Sequence, residues 1–304
     1  AGREASVAVR AAPVELGGAL RDALFERVDT TVLTSATLAT RDGFDFVRAR
    51  LGLASGAPAV ESVYDSPFCF ETQTMVAIPD DLPLPDERGP TFDDATSRVA
   101  VELAELSDGG VFVLFTSYRA LRAVATELRR RRVDTRWPLM VQGEGSRAAL
   151  LERFTGAGNA FLLGVASFWE GVDVPGEPLR ALLIPKLPFR VPTEPLTAAR
   201  TELIEQHGGS GFRDYLLPHA ALRLKQGFGR LIRTRTDRGA AVLLDRRVLQ
   251  RGYGRYLLGS LPATPLRVGP WSGLRDALRD FYGGGGSRDT PSASPPLAES
   301  VPVA

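Results

Sequence analysis

The chain has 304 residues, 44% of them hydrophobic, and a formal net charge of +1, which suits one large or two ordinary globular units. No stretch approaches 18 consecutive apolar residues, so no membrane span is expected. The single cysteine, Cys69, excludes an internal disulfide or a thiolate cluster, and two histidines, His207 and His219, do not compose a zinc site, so no metal site is expected.

In chain order, ALRDALFERV (19 to 28) has helical period, and TTVLTSATL (30 to 38) reads as a β-branched strand ending in small hydroxylic residues. A turn-rich, acidic and proline-rich stretch is expected from about Ala54 to Pro90. GVFVLFTS (110 to 117) is a continuous apolar run, as a buried parallel strand requires, and a helix through about Arg132 follows. WPLMVQG (137 to 143) is a second such strand, with a helix over Arg147 to Phe154. NAFLLGVAS (159 to 167), LRALLIPKLPF (179 to 189) and AAVLLD (240 to 245) continue the series. Helices are expected near Pro195–Gln206, Tyr215–Arg233 and 248 to 261, with FRVPTEP (189 to 195) a loop because proline does not fit a helix interior.

Five apolar strands alternating with helices predict a doubly wound α/β domain with ligands at the carboxyl ends of the strands. The tail from 283 to 304 lacks the apolar content to fold and is expected to be disordered. The start, AGREASVAVR, has neither an initiator Met nor a signal-peptide pattern, which suggests a cytoplasmic piece of a longer protein.

Charge is unevenly distributed. Ten basic residues between Arg223 and Arg255 face only Asp237 and Asp245, which suggests a surface turned toward a polyanion. Lysine occurs only at Lys186 and Lys225, neither after a glycine, so a phosphate-cradling Gly-Lys-Ser/Thr loop is absent. In LKQGFGRLIR (224 to 233), Leu224, Phe228, Leu231 and Ile232 fall on one side of a helical wheel, and Gln226, Gly229, Arg230 and Arg233 on the other. Planar guanidinium groups suit bidentate contact with phosphate oxygens. SFWEGVDVPG (167 to 176) places Glu170, Gly171 and Asp173 in a glycine-bounded loop after a strand, where the two carboxylates can bind a ribose, orient an arginine or cap a turn.

The order of these phrases carries more than any one of them. TSATL, then FTSY, then EGVD, then QGFGRLIR follow the order of motifs III to VI in superfamily 2 helicases. The wording LFTSYRAL, VQGEGSR, LLGVASFWEGVDVPGE, KLPFRVPTEP, LPHAALRLKQGFGRLIRT, DRGAAVLLDRR and YGRYLLGSLP resembles the DinG-type branch of the XPD-like helicases, from about Pro13 to Pro262. The resemblance implies a RecA-like doubly wound sheet, the second of two motor domains, with ATP in the cleft between them. It further implies the C-terminal motor domain of an ATP-dependent helicase acting on single-stranded or forked DNA. Arg233 would be the arginine finger, with Arg230 beside it on the triphosphate. Gln226 and Gly229 would lie at the nucleotide, and Glu170, Gly171 and Asp173 would couple the cleft to nucleic acid. Thr34, Ser35 and Thr37 would link hydrolysis to domain movement, and Thr116, Ser117 and Tyr118 would touch DNA.

The implied division is 1–50 as a remnant of the first RecA-like domain, 51–95 as an acidic connector, 96–265 as the second RecA-like domain and 266–304 as an extension and tail. Magnesium ligands and any iron–sulfur cluster would belong to the first RecA-like domain, of which only the TSATL end is recognisable. The chain alone is therefore expected to be inactive. Two alternatives remain: the helicase-like part of an exonuclease-fused relative, and a non-catalytic nucleic-acid-binding module.

Overall fold

The computed structural model describes residues 11–53, 59–85, 91–165, 168 and 178–284. Its centre is a parallel sheet of seven strands: β1 (Thr74–Pro79), β2 (Val111–Leu114), β3 (Leu139–Val141), β4 (Phe161–Gly164), β5 (Ala181–Ile184), β6 (Gly239–Leu243) and β7 (Leu266–Gly269). Their spatial order is β3-β4-β2-β5-β6-β1-β7, and every pairing is parallel. The α/β RecA-like architecture read from the strand–helix rhythm is therefore present, and all five apolar runs expected to be strands are strands.

Successive side chains of a strand point to opposite faces, and both faces of this sheet are covered. Val111 and Val113 join one core with Leu103, Leu121, Val124 and Leu278, from the helices Thr91–Ser107, Tyr118–Arg130 and Trp271–Gly283. Phe112 and Leu114 join the other core with Leu150, Phe154, Leu224 and Phe228, from the helices Arg147–Ala157 and Leu217–Phe228. That double burial explains why the strands read as unbroken apolar runs.

Four expectations are corrected. TTVLTSATL is not a strand: residues 31–35 pair with no described strand, and Val32 is 78% exposed. A β-branched run becomes a strand only where a neighbour offers its backbone groups. The stretch expected to be turn-rich contains β1, which pairs with both β6 and β7 and is buried along its whole length. The sheet consequently reaches past 96–265 at both ends, since β7 and the helix Trp271–Gly283 also belong to it, where only a tail extension was expected. The helix expected across 248 to 261 is broken into Arg247–Gln250 and Gly254–Leu258. The tail beyond 284 lies outside the described residues, and no helix among the described residues is long and apolar enough to cross a membrane.

The entry to β2 shows how local chemistry sets the sheet. Asp108, Gly109 and Gly110 all have positive φ (54°, 78° and 64°), turning the chain sharply after the helix Thr91–Ser107. A side chain on Gly109 would stand 2.1 Å from the Asn159 carbonyl, so the backbones of two connections meet there. Gly109→Ala is expected to cost about 2–4 kcal/mol, from the left-handed conformation and the clash together, measured by urea unfolding.

Candidate functional site

The helix Leu217–Phe228 ends five residues sooner than the wheel over 224 to 233 requires. Leu224, Phe228, Leu231 and Ile232 are all buried, as the apolar side of that wheel predicts. The polar side does not survive as one helical face. After Phe228 the chain tightens through Arg230 N–H to Gly227 O (3.3 Å) and Leu231 N–H to Phe228 O (3.0 Å), then leaves the helix. Asp237 supplies the reason. Its carboxylate accepts the N–H of Arg233 at 2.7 Å, the N–H of Thr234 at 2.9 Å and the Thr234 hydroxyl at 2.6 Å, replacing the bonds a continuing helix would have made.

A second clamp comes from the other side. Gln73 stands immediately before β1, and its amide donates to the carbonyls of Thr234 (3.0 Å) and Asp237 (2.8 Å) while accepting from Cys69 N–H (2.9 Å). Arg233 therefore sits on a loop fixed to the amino ends of β1 and β6. Burial lowers its guanidinium's pKa, against the opposing pull of Asp237. Arg230 is buried rather than solvated. Gly229 has ordinary helical angles (φ −62°, ψ −4°), and a side chain there would meet first the Lys225 carbonyl of its own preceding turn, so no foreign backbone exploits the gap.

Gln226, on the last turn of this helix, donates to the Thr37 hydroxyl at 3.3 Å across 189 residues of sequence. Thr37 in turn meets Ser35, whose hydroxyl lies 3.3 Å from its own. The structure thus brings the TSATL segment to the arginine-bearing element, although Thr34 is exposed and outside this chain of contacts.

Thr116, Ser117 and Tyr118 lie on the opposite rim, at the carboxyl end of β2. Ser117 caps the following helix by accepting Ala120 N–H at 3.3 Å, which accounts for a hydroxyl at that position. Tyr118 is 46% exposed and its hydroxyl accepts from Gln142 at 2.8 Å. The side-chain amide oxygen of Gln142, Oε1, takes Val165 N–H at 2.6 Å, tying together the carboxyl ends of β2, β3 and β4. Glu170, Gly171 and Asp173, expected to continue this rim, lie outside the described residues. The Tyr118 group thus stands at the carboxyl rim and the Arg233 loop at the amino rim.

Gln73, Asp237 and Gln142 were not anticipated as site residues. The signal for Gln142 and Gln73 is a lone amide abutting an apolar strand, which is legible only once the strand ends are known. Among the described residues no three potential metal ligands cluster.

With the geometry established, comparison with known proteins decides the family. Residues 100–264 match the helicase C-terminal domain family. The chain belongs to that family. Over 266 residues this helicase C-terminal domain is 39% identical to the 3'-5' exonuclease DinG of Bacillus subtilis strain 168, covering 86% of this chain and 28% of that protein. It is 39% identical over 258 residues to the ATP-dependent helicase DinG of Mycobacterium tuberculosis H37Rv (85% and 38%), and 36% identical over 255 residues to the ATP-dependent DNA helicase YoaA of Escherichia coli K12 (83% and 38%). It therefore spans about a third of the length of these relatives. An XPD helicase structure shares the fold at 18% identity and a TM-score of 0.58, covering 83% of this chain and 45% of its own. Xpd4 of S. tokodaii does so at 19% identity and 0.56, covering 84% and 48%. The DinG-type resemblance read from the motif order is the one these relatives support.

His219 lies in the first turn of the same helix. Burial, then the charges of Arg190, Arg223, Arg50 and Arg200, lower its pKa from 6.5 to about 3, and it packs edge-on against Phe46 and Tyr215.

Two outcomes are expected in the helicase C-terminal domain. Asp237→Ala costs about 3 kcal/mol in urea unfolding, from loss of several bonds to a buried carboxylate. His219 is neutral when folded and titrates near 6.5 when unfolded, so its contribution is complete above pH 6.5 and is lost as pH falls toward 3. His219→Phe should accordingly flatten the stability–pH slope between about pH 6 and 4 by up to one proton, about 1.4 kcal/mol per pH unit.

Proposed function

We propose that this chain is the second motor domain of an ATP-dependent DNA helicase, which couples ATP hydrolysis to movement along single-stranded DNA and to unwinding. The observation that carries this reading is the Gln226–Thr37 hydrogen bond, in a member of the helicase C-terminal domain family. It joins a segment expected to sense hydrolysis to the element that bears two arginines. The ATP-dependent helicases named among its relatives support the same assignment.

In this reading Arg233 is the arginine finger and Arg230 its companion, with Gln226 and Gly229 beside the nucleotide. The donor set fits the phosphate end of ATP: Arg233 is a partly desolvated guanidinium on a doubly clamped loop, so an approaching oxyanion meets charge whose position is already set. When bound, ATP supplies the phosphoryl group whose hydrolysis drives the motor. Arg233 stabilises the negative charge that spreads over its oxygens. The remaining contacts to ATP, including the magnesium ligands and the Gly-Lys-Ser/Thr loop, come from a first RecA-like domain. The 304-residue chain alone is therefore inactive.

DNA meets the other rim. Tyr118 offers an exposed ring for stacking and Thr116 and Ser117 offer hydroxyls to the backbone, with Glu170, Gly171 and Asp173 passing the state of the cleft to that rim. The substrate is single-stranded or forked DNA, and the protein works in the cytoplasm. The exonuclease name of the Bacillus subtilis relative favours a second reading, in which the helicase-like part serves a nuclease. A nuclease domain encoded upstream would distinguish it.

The test is Arg233→Ala in a protein that contains both motor domains. ATP turnover should fall by about 10³–10⁵, the usual contribution of an arginine finger, while single-strand affinity measured by fluorescence anisotropy is retained. Unchanged turnover removes Arg233 from the mechanism. Weakened binding with a salt slope reduced by about one identifies a nucleic-acid-binding module instead.

A further inference from the structure

A cavity of about 310 Å³ lies between the chain around Val14–Arg21, the helix Asp45–Leu51 and the helix Pro195–Gln206. Three cations, Arg21, Arg50 and Arg200, line it. Arg200 is buried and donates to the Val14 carbonyl at 3.0 Å and the Tyr215 hydroxyl at 3.1 Å. Arg21 donates to the Gly52 carbonyl at 3.2 Å. Arg50 has no hydrogen-bond acceptor or carboxylate partner among the described residues; its guanidinium instead lies 5.5 Å from the centre of the Tyr215 ring, which Arg200 approaches to 5.9 Å.

Two carboxylates also line the cavity, Glu15 and Asp214, and neither pairs with these arginines. Asp214 is engaged by the Ser210 N–H at 2.7 Å, and Glu15 is exposed. Among the described residues, the direct hydrogen-bond and ring partners of the three cations are thus neutral oxygens and the Tyr215 ring. Burial, Arg200 and Arg190 together lower the pKa of Arg50, as expected where like charges share a partly dry wall. Such an arrangement costs free energy unless an anion completes it.

We propose that this cavity binds a phosphate group, free or within a phosphodiester, through Arg50 and Arg200 with Arg21 at its margin. A tetrahedral oxyanion offers more acceptor oxygens, in more directions, to several guanidinium forks than the two coplanar oxygens of a carboxylate. The volume is at the small end of ligand sites, roughly 300–1,000 Å³. This site is separate from the nucleotide-facing arginines: Tyr215 lies in the helical segment Gly211–Leu216, before the helix Leu217–Phe228 that carries Gln226, and neither Arg230 nor Arg233 lines the cavity. Its failure would leave the proposed function untouched.

The experiment titrates inorganic phosphate into the 304-residue chain at constant ionic strength, without ATP, following thermal unfolding and calorimetric heat. Phosphate should raise Tm above matched chloride, and Arg50→Gln should remove that rise and weaken binding about tenfold or more, the loss of one charge-assisted contact. Because Arg50 has no polar partner in the described structure, Arg50→Gln should leave Tm in chloride unchanged or higher, which separates lost binding from lost folding. A short oligothymidylate is the second arm. Displacement of phosphate by the oligonucleotide assigns the site to a phosphodiester, and phosphate binding undisturbed by it assigns the site to free phosphate. The proposal is overturned if phosphate and chloride give equal Tm, if Arg50→Gln responds to phosphate as the parent does, or if that variant unfolds well below the parent in chloride.

Discussion

A parallel sheet covered on both faces leaves its polar side chains two places to go, the rims at which the strands begin and end. This constraint organises the molecule. The strand interiors are apolar on both sides, with Val111 and Val113 facing one core and Phe112 and Leu114 the other. Side chains able to meet a ligand are displaced to the ends, and the strand order decides which of them become neighbours.

The two rims differ in character. At the carboxyl rim Gln142 binds Tyr118 and Val165, holding an exposed aromatic ring in place across three strands. At the amino rim Asp237 and Gln73 hold the Arg233 loop from opposite sides. Gln142 and Gln73 each bond a segment distant in sequence, whereas Asp237 bonds its own turn. Local sequence therefore does not announce these residues, although they control where the candidate chemistry stands.

The family assignment and the geometry support each other without being the same argument. The match over 100–264 shows the domain type, and the fold neighbours show the same architecture at identities too low to carry function. The fold adds a physical link between TSATL and QGFGR, made by one hydrogen bond between Thr37 and Gln226. The structure also holds a cavity lined by Arg21, Arg50 and Arg200, which motif order does not foreshadow.

Residue pattern by itself determined the five apolar strands, most of the intervening helices and the burial of Leu224, Phe228, Leu231 and Ile232 in LKQGFGRLIR, but not that of Arg230, because burial on both faces writes itself as unbroken apolar runs and as helical period. Motif order determined the family. Tertiary structure decided the rest. β1 was hidden in TMVAIP within a charged, proline-rich stretch, since a six-residue run becomes a central strand only when β6 and β7 offer it partners. TTVLTSATL was the reverse case, a strand-like sequence with no described neighbour to pair with. The helix through Arg233 was cut short by a local turn at Asp237, which Gln73, more than 160 residues away in sequence, holds at the start of β1. Periodicity reports which residues avoid water; which backbone groups find partners depends on segments distant in sequence.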